Sequence, residues 1–130
     1  MDQKLKELSE SRLQRAKLNL EVVKPLISDG YYNFAINRSY YAAFDAMRAV
    51  NALDGFDSSK HSGVIAHFNQ LHVKTGEFPA ETSVIIRKAS TMREKSDYED
   101  FFRATESEAL SVYDSVGRFL EAVELFLSDK

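Results

Sequence analysis

Apolar residues recur at three- and four-residue intervals through most of this chain, and only two prolines and five glycines interrupt them, the pattern of amphipathic helices and not of strands. A first helix is predicted from about Lys4 to Ile27, with Leu13, Ala16, Leu20, Val23 and Ile27 on one stripe. Pro25 removes a backbone donor near its end and should kink or tighten the last turn. Ser28, Asp29 and Gly30 then read as a glycine-type stop and a short turn. A second helix should cover Tyr32 to Leu53, burying Phe34, Tyr41, Phe44 and Met47, while Ala35, Ala42, Ala43, Ala46 and Ala49 let neighbours approach closely. Asp54 to Lys60 is rich in turn formers and reads as a loop. A shorter third helix, about Ser62 to Val73, is marked by Ile65, Phe68, Asn69 and Leu71 and breaks at Lys74-Thr75-Gly76.

Pro79 opens a fourth helix, whose inner face is read as Val84, Ile85, Ala89, Met92 and Ser96. The last helix runs from about Thr105 to Leu127 on a stripe of Leu110, Tyr113, Val116, Leu120, Val123 and Leu127, with Thr105 to Glu108 spaced as a capping box. The expected fold class is all-α: an antiparallel, up-and-down bundle of about five helices, four long and one short, in one domain. At 130 residues one hydrophobic core suffices without staples.

Composition narrows the function only by exclusion. There is no cysteine, so disulfides and thiolate metal sites are ruled out. No apolar run approaches the roughly 18 residues of a spanning helix, and the charged N-terminus does not read as a signal peptide, so no membrane association and a cytoplasmic location are expected. A formal net charge of −3 argues against a generally basic nucleic-acid coat but leaves room for a local cationic site.

The stretch Asn37-Arg38-Ser39-Tyr40-Tyr41-Ala42-Ala43-Phe44 sets an arginine and two tyrosines into an apolar helical run. Such polar ends are costly to bury without partners, so the run marks either a polar network between helices or a groove for a polar ligand. Arg38 and Tyr41, three apart, share a helix face. Tyr40 should point elsewhere, into core packing or a dimer contact. Arg93 could bind phosphate through its fork of donors, or pair with Asp97 four residues on. His67 and His72 are five apart, about 140° around an α-helix, so one helix cannot aim both at one metal and no zinc site is expected. Asp97, Glu99 and Asp100 read as a solvated helix end.

The Asn37-to-Phe44 run resembles the second-helix signature of HEPN domains, the "higher eukaryotes and prokaryotes nucleotide-binding" family. Lys60-His61-Ser62-Gly63-Val64-Ile65 with Val73-Lys74-Thr75-Gly76, and Arg93-Glu94-Lys95-Ser96-Asp97-Tyr98, resemble later segments of its small stand-alone prokaryotic members. The resemblance spans about Leu13 to Leu127. It implies a bundle that commonly dimerises and often pairs with a minimal nucleotidyltransferase in toxin–antitoxin-like or defence modules. Many members are metal-independent ribonucleases with an arginine followed, after four to six residues, by a histidine. Here Tyr98, Glu99 and Asp100 stand in that window after Arg93, and all three histidines precede it. A tyrosine of ordinary pKa near 10 replaces poorly a histidine near 6.5 as acid or base. The expectation is therefore a non-catalytic or degenerate member: a homodimeric interaction module without cofactor or metal that binds nucleotide or RNA phosphate through Arg38, Tyr41, Arg93, Tyr98 and His61. The alternative is an atypical metal-independent ribonuclease toxin assembled from Arg38, His61, Arg93 or Tyr98.

Overall fold

Helix α1 (Gln3–Glu21) begins where Asp2 accepts the backbone N–H groups of Lys4 and Leu5 at 2.8 and 3.4 Å, an N-cap that satisfies otherwise unpaired donors. The computed structural model describes residues 2–130. At Val22 the helix is interrupted, and α2 (Val23–Ser28) follows. Pro25 supplies the reason: it cannot donate to the carbonyl of Glu21, and its ring crowds that same carbonyl. The turn after α2 is a Schellman stop, with Tyr31 N donating to Leu26 O at 2.8 Å, Gly30 N to Ile27 O at 3.0 Å, and Gly30 at φ +83°.

The central helix is α3 (Tyr32–Ala52), which packs against each of the other helices. Its alanines at 35, 42, 43, 46 and 49 are at most 1% exposed, and Ser9 of α1 comes close enough to donate to the carbonyl of Ala49 at 2.7 Å. Around it stand α4 (His61–Phe68), α5 (Glu81–Tyr98) and α6 (Glu106–Ser128). The capping box of α6 forms as its sequence predicts, with Thr105 Oγ1 accepting from Glu108 N at 3.1 Å and Glu108 Oε1 accepting from Thr105 N at 2.9 Å. Among the described residues there is no strand, and the chain is an all-α bundle with one core in which Tyr40, Met47, Phe68, Ile86, Val116 and Val123 are fully enclosed.

Three expectations about facing are corrected. Phe34 is 65% exposed: it lies on the outer side of α3, where its ring meets Tyr31 edge-on at 6.2 Å, while Ala35 and Ile36 take the core. On α5 the expected Ala89 is in the core, with Ile85 and Met92 packed against it, but Val84 is turned to solvent and the most buried residues are Thr82, Ile86, Ala89 and Arg93. The third correction concerns backbone geometry. Beyond Phe68 the helix widens into a π-helical segment, Asn69–Val73, closed by Lys74 N donating to Asn69 O at 2.9 Å. Bonding from i to i+5 puts more residues into the turn between His67 and His72 than an α-helix has, so the angle that separates the two on an α-helix does not apply. Their Nε2 atoms both meet Asp54 Oδ2, at 2.9 and 2.6 Å.

Candidate functional site

The polar run of α3 meets the C-terminal half of α5 and the first residue of α4. Arg93 reaches this junction from the inner face of α5. It is only 7% exposed, and its guanidinium lies over the rings of Tyr40, Tyr41 and Tyr98 at 4.7, 5.8 and 5.8 Å, the arrangement in which an aromatic face attracts a cation. Asp97, one turn on, stands 3.5 Å from Nη1 and also accepts from Asn37 Nδ2 at 3.0 Å. Asp97 is thus tied into the site, while Glu99 and Asp100 are exposed, as a solvated helix end should be. Arg93 Nε is buried without a hydrogen-bond partner. Burial alone would lower the Arg93 pKa, but Tyr40, Tyr41, Asp97 and Tyr98 together outweigh it and hold the pKa above its ordinary value.

Tyr40 is the residue that sequence reasoning placed on another face. It is 1% exposed, and its hydroxyl lies 3.0 Å from His61 Nδ1. Burial pushes its pKa up to about 12, against the pull of Arg93, so the phenol keeps its proton at neutral pH. The spacing of Tyr40 and Phe44, one helical turn apart, is the signal that could have found it. His61 rests on Phe44 with ring centroids 4.3 Å apart. Burial first, then the charge of Arg93, lowers its pKa, so the imidazole is held neutral beside the cation.

Arg38 does not share this enclosure. It lies 5.1 Å over the outer side of the site at Tyr41, with Nε donating to Asn37 Oδ1 and Nη1 donating to Asn19 Oδ1, both at 2.9 Å. It lines an open groove of about 580 Å³ between α1 and α3, together with Arg15, Tyr41, Phe44 and Arg48. Asp45 borders the groove as its one carboxylate, accepting from Asn19 at 3.0 Å. Burial raises the Asp45 pKa although Arg15 and Arg48 pull it down. Of the five residues expected to form one pocket, Arg93, Tyr41 and His61 converge around Tyr40, Tyr98 meets Arg93, and Arg38 is joined to them through Tyr41 and Asn37. Tyr98 is 72% exposed and forms the rim. Arg15 reaches the groove from α1 and has its groove neighbours on another helix, whereas Arg48 stands one turn from Phe44 on α3 itself, a spacing the sequence does carry.

Chemically the arrangement offers two things. The groove has three guanidinium groups for phosphate oxygens and two aromatic rings for a base. The enclosed cluster joins an arginine to a neutral imidazole through one tyrosine. No helix among the described residues is long and apolar enough to cross a membrane.

Comparison with known proteins agrees with this architecture. The crystal structure of TT1696 from Thermus thermophilus superposes with a TM-score of 0.77 at 20% identity, covering 91% of this chain and 97% of that one. That of ST0689, described as an archaeal HEPN homologue, gives 0.67 at 22% identity, covering 92% and 97%. At these identities the likeness is one of fold. In sequence, a UPF0332 protein of Thermotoga maritima is 32% identical over 116 residues, 89% of this chain and 88% of its own length. A Methanocaldococcus jannaschii protein named "Putative toxin MJ0142" is 28% identical over 130 residues, covering 100% of this chain and 88% of the relative. The HEPN domain profile matches residues 9–126, nearly the whole bundle, and the chain belongs to the HEPN domain family.

Proposed function

We propose that this HEPN protein is a binding module of a toxin–antitoxin-like system, which holds RNA or nucleotide phosphate in the groove between α1 and α3 without cutting it. The observation that carries this reading is the division of labour between arginines. Arg93 is spent on internal partners: it is enclosed by tyrosine rings and Asp97. Arg15, Arg38 and Arg48 instead line an open groove beside the rings of Tyr41 and Phe44; Arg48 also faces Asp45 at 3.8 Å and Asp57 at 3.5 Å but keeps more of its side chain open than Arg93 does. Phosphate affinity and base stacking need that combination of accessible cations and aromatic faces. The system-level part rests on a relative that carries the toxin name and on membership of the family. The module works as a homodimer beside a minimal nucleotidyltransferase partner. Support for the dimer comes from the large apolar side chains left open, Phe34 at 65% and Phe101 at 95% exposure among them. Sedimentation showing only monomer at micromolar concentration would contradict it.

One observation favours a second reading, the atypical metal-independent ribonuclease. The arginine and histidine that are not paired along the chain are brought together in space, with His61 on Tyr40 and Arg93 over the same ring. The experiment that separates the readings incubates the purified protein with mixed cellular RNA and, separately, with a labelled single-stranded oligonucleotide. Binding without cleavage, weakened at least about tenfold in Arg38→Ala, is expected, as for loss of a charge-assisted phosphate contact. Cleavage by the parent that disappears in both Arg93→Ala and His61→Gln assigns the ribonuclease instead.

A further inference from the structure

Away from the groove, the turn after α3 and the π-helical segment bring together three groups that are far apart in sequence. Asp54 Oδ2 lies 2.9 Å from His67 Nε2 and 2.6 Å from His72 Nε2, and ligand atoms of the three residues all fall within 4.8 Å of one another. Both imidazoles are held in place. The His67 ring stacks on Phe56, with centroids 4.0 Å apart and planes at 10°, and His72 is 5% exposed between Phe68 and Phe126. On its far side, His72 Nδ1 meets Glu77 Oε1 at 2.5 Å.

Charge accounting makes the cluster unusual. Two carboxylates converge on one buried imidazole, and among the described residues no lysine or arginine lies within ion-pairing distance of either. The counter-charge must come from hydrogens on the ring nitrogens or from a cation that takes their place. The orientation suits the cation. Glu77 accepts at Nδ1 of His72, which sets the tautomer with Nε2 as the ligand atom, the outer-carboxylate arrangement that orients histidines bound to metals. The π-helical backbone needed to align His67 with His72 is itself a rare geometry often found at functional sites.

We propose that Asp54, His67 and His72 bind one first-row divalent transition metal ion of the zinc type, with Glu77 as the outer carboxylate. Two imidazoles and one carboxylate suit such ions better than calcium or magnesium, which prefer all-oxygen shells. Bonds of about 2.0–2.2 Å in tetrahedral geometry separate ligand atoms by roughly 3.3 Å, so Asp54 has to withdraw by less than about 1 Å, and the two imidazole nitrogens, within 4.8 Å of each other, have to settle at that same spacing. It can do so, since it stands in an exposed turn. The metal's +2 charge balances Asp54 and Glu77. Three protein ligands leave a fourth position facing solvent, where a water or a partner's side chain completes the shell.

The full chain, dialysed against chelator, is titrated with Co²⁺ and followed by its visible d–d absorption, then with Zn²⁺ by calorimetry. The expected result is saturation at one ion per chain with the intense spectrum of tetrahedral cobalt, displaced by zinc. His67→Ala and Asp54→Asn lie at the exposed side of the cluster, and their folding is checked by far-UV circular dichroism. Each should lower affinity at least about tenfold, and Glu77→Gln should weaken it by about 10- to 100-fold without abolishing it. Absence of saturable binding, or equal binding by the parent, His67→Ala and Asp54→Asn, overturns the site and leaves a hydrogen-bonded network. Unchanged affinity in Glu77→Gln overturns the part given to Glu77.

Discussion

Two polar clusters flank α3, and they solve opposite electrostatic problems. Around Arg93 a permanent cation is buried, and the fold meets it with the faces of tyrosine rings and a single carboxylate. Around Asp54 the excess is negative, and two imidazoles are what meet it. The enclosed guanidinium and the ring faces packed on it make the first cluster a fixed part of the core. The second can exchange its counter-ion, and it lies at the surface where an ion can enter. The first is therefore a structural support beside the arginine-lined groove, and the second is a site open to change.

The largest expected effect tests that contrast through stability. Phe44 is 8% exposed and carries His61, so Phe44→Ala should cost about 3–5 kcal/mol in denaturant melts, through lost burial and a residual cavity. His67→Ala, at the partly exposed cluster, should cost only about 1 kcal/mol in metal-free protein, the worth of an ordinary hydrogen bond. Equal costs would erase the distinction between a core cluster and a surface one. Next in size is the groove. Arg48→Ala removes a guanidinium that also pairs with Asp57 at 3.5 Å and should weaken oligonucleotide binding by about 1–2 kcal/mol in a low-salt titration, with a shallower salt dependence. An unchanged salt slope would take Arg48 out of the ligand's path.

How much of this could be read beforehand depends on what each residue's position required. The helix order, the Schellman stop at Gly30 and the capping box at Thr105 follow from local chemistry, and local chemistry was enough. The Asn37-to-Phe44 run was visible because an arginine among alanines and aromatics has few bland explanations. The facing of α5 was harder. Its most buried residues, Thr82, Ile86, Ala89 and Arg93, include two polar ones, so a count of apolar positions keeps Ile85, Ala89 and Met92 but drifts to the exposed Val84. Phe34 misled for the opposite reason, an apolar residue in a helix turn that its neighbours leave open. The histidine pair was out of reach altogether, since the arithmetic of 100° per residue presumes an α-helix and the segment after Phe68 is π-helical.

The enclosed cluster also has a signature in pH. His61 is held below its ordinary pKa of 6.5, first by burial and then by Arg93. The unfolded chain therefore takes up a proton at this residue before the folded one does. Its contribution to stability is complete above about pH 6.5 and is lost as pH falls through that value towards the lower folded pKa. Chemical denaturation between about pH 7.5 and 5.5 should show a decline that is flatter in His61→Gln, with Tyr40 and Arg93, the groups facing it, unchanged in charge over that range. Parallel curves for the two proteins would mean that His61 titrates normally and that the cluster does not exclude its charge.

The smallest effect asks what holds the Arg93 cluster together, ring faces or hydrogen bonds. Tyr40→Phe keeps the ring on which the Arg93 guanidinium lies at 4.7 Å and removes only the hydroxyl that meets His61 Nδ1 at 3.0 Å. The volume change is slight, so no appreciable cavity term arises. The expected cost is that of one neutral hydrogen bond, about 0.5–1.5 kcal/mol, and oligonucleotide affinity should stay within about twofold, since the groove's arginines are untouched. A loss above about 3 kcal/mol would show that the hydroxyl holds His61 in place, as breaking a buried polar network would. In that case the cluster depends on one hydrogen bond, and its contrast with the hydrogen-bonded cluster at Asp54 disappears.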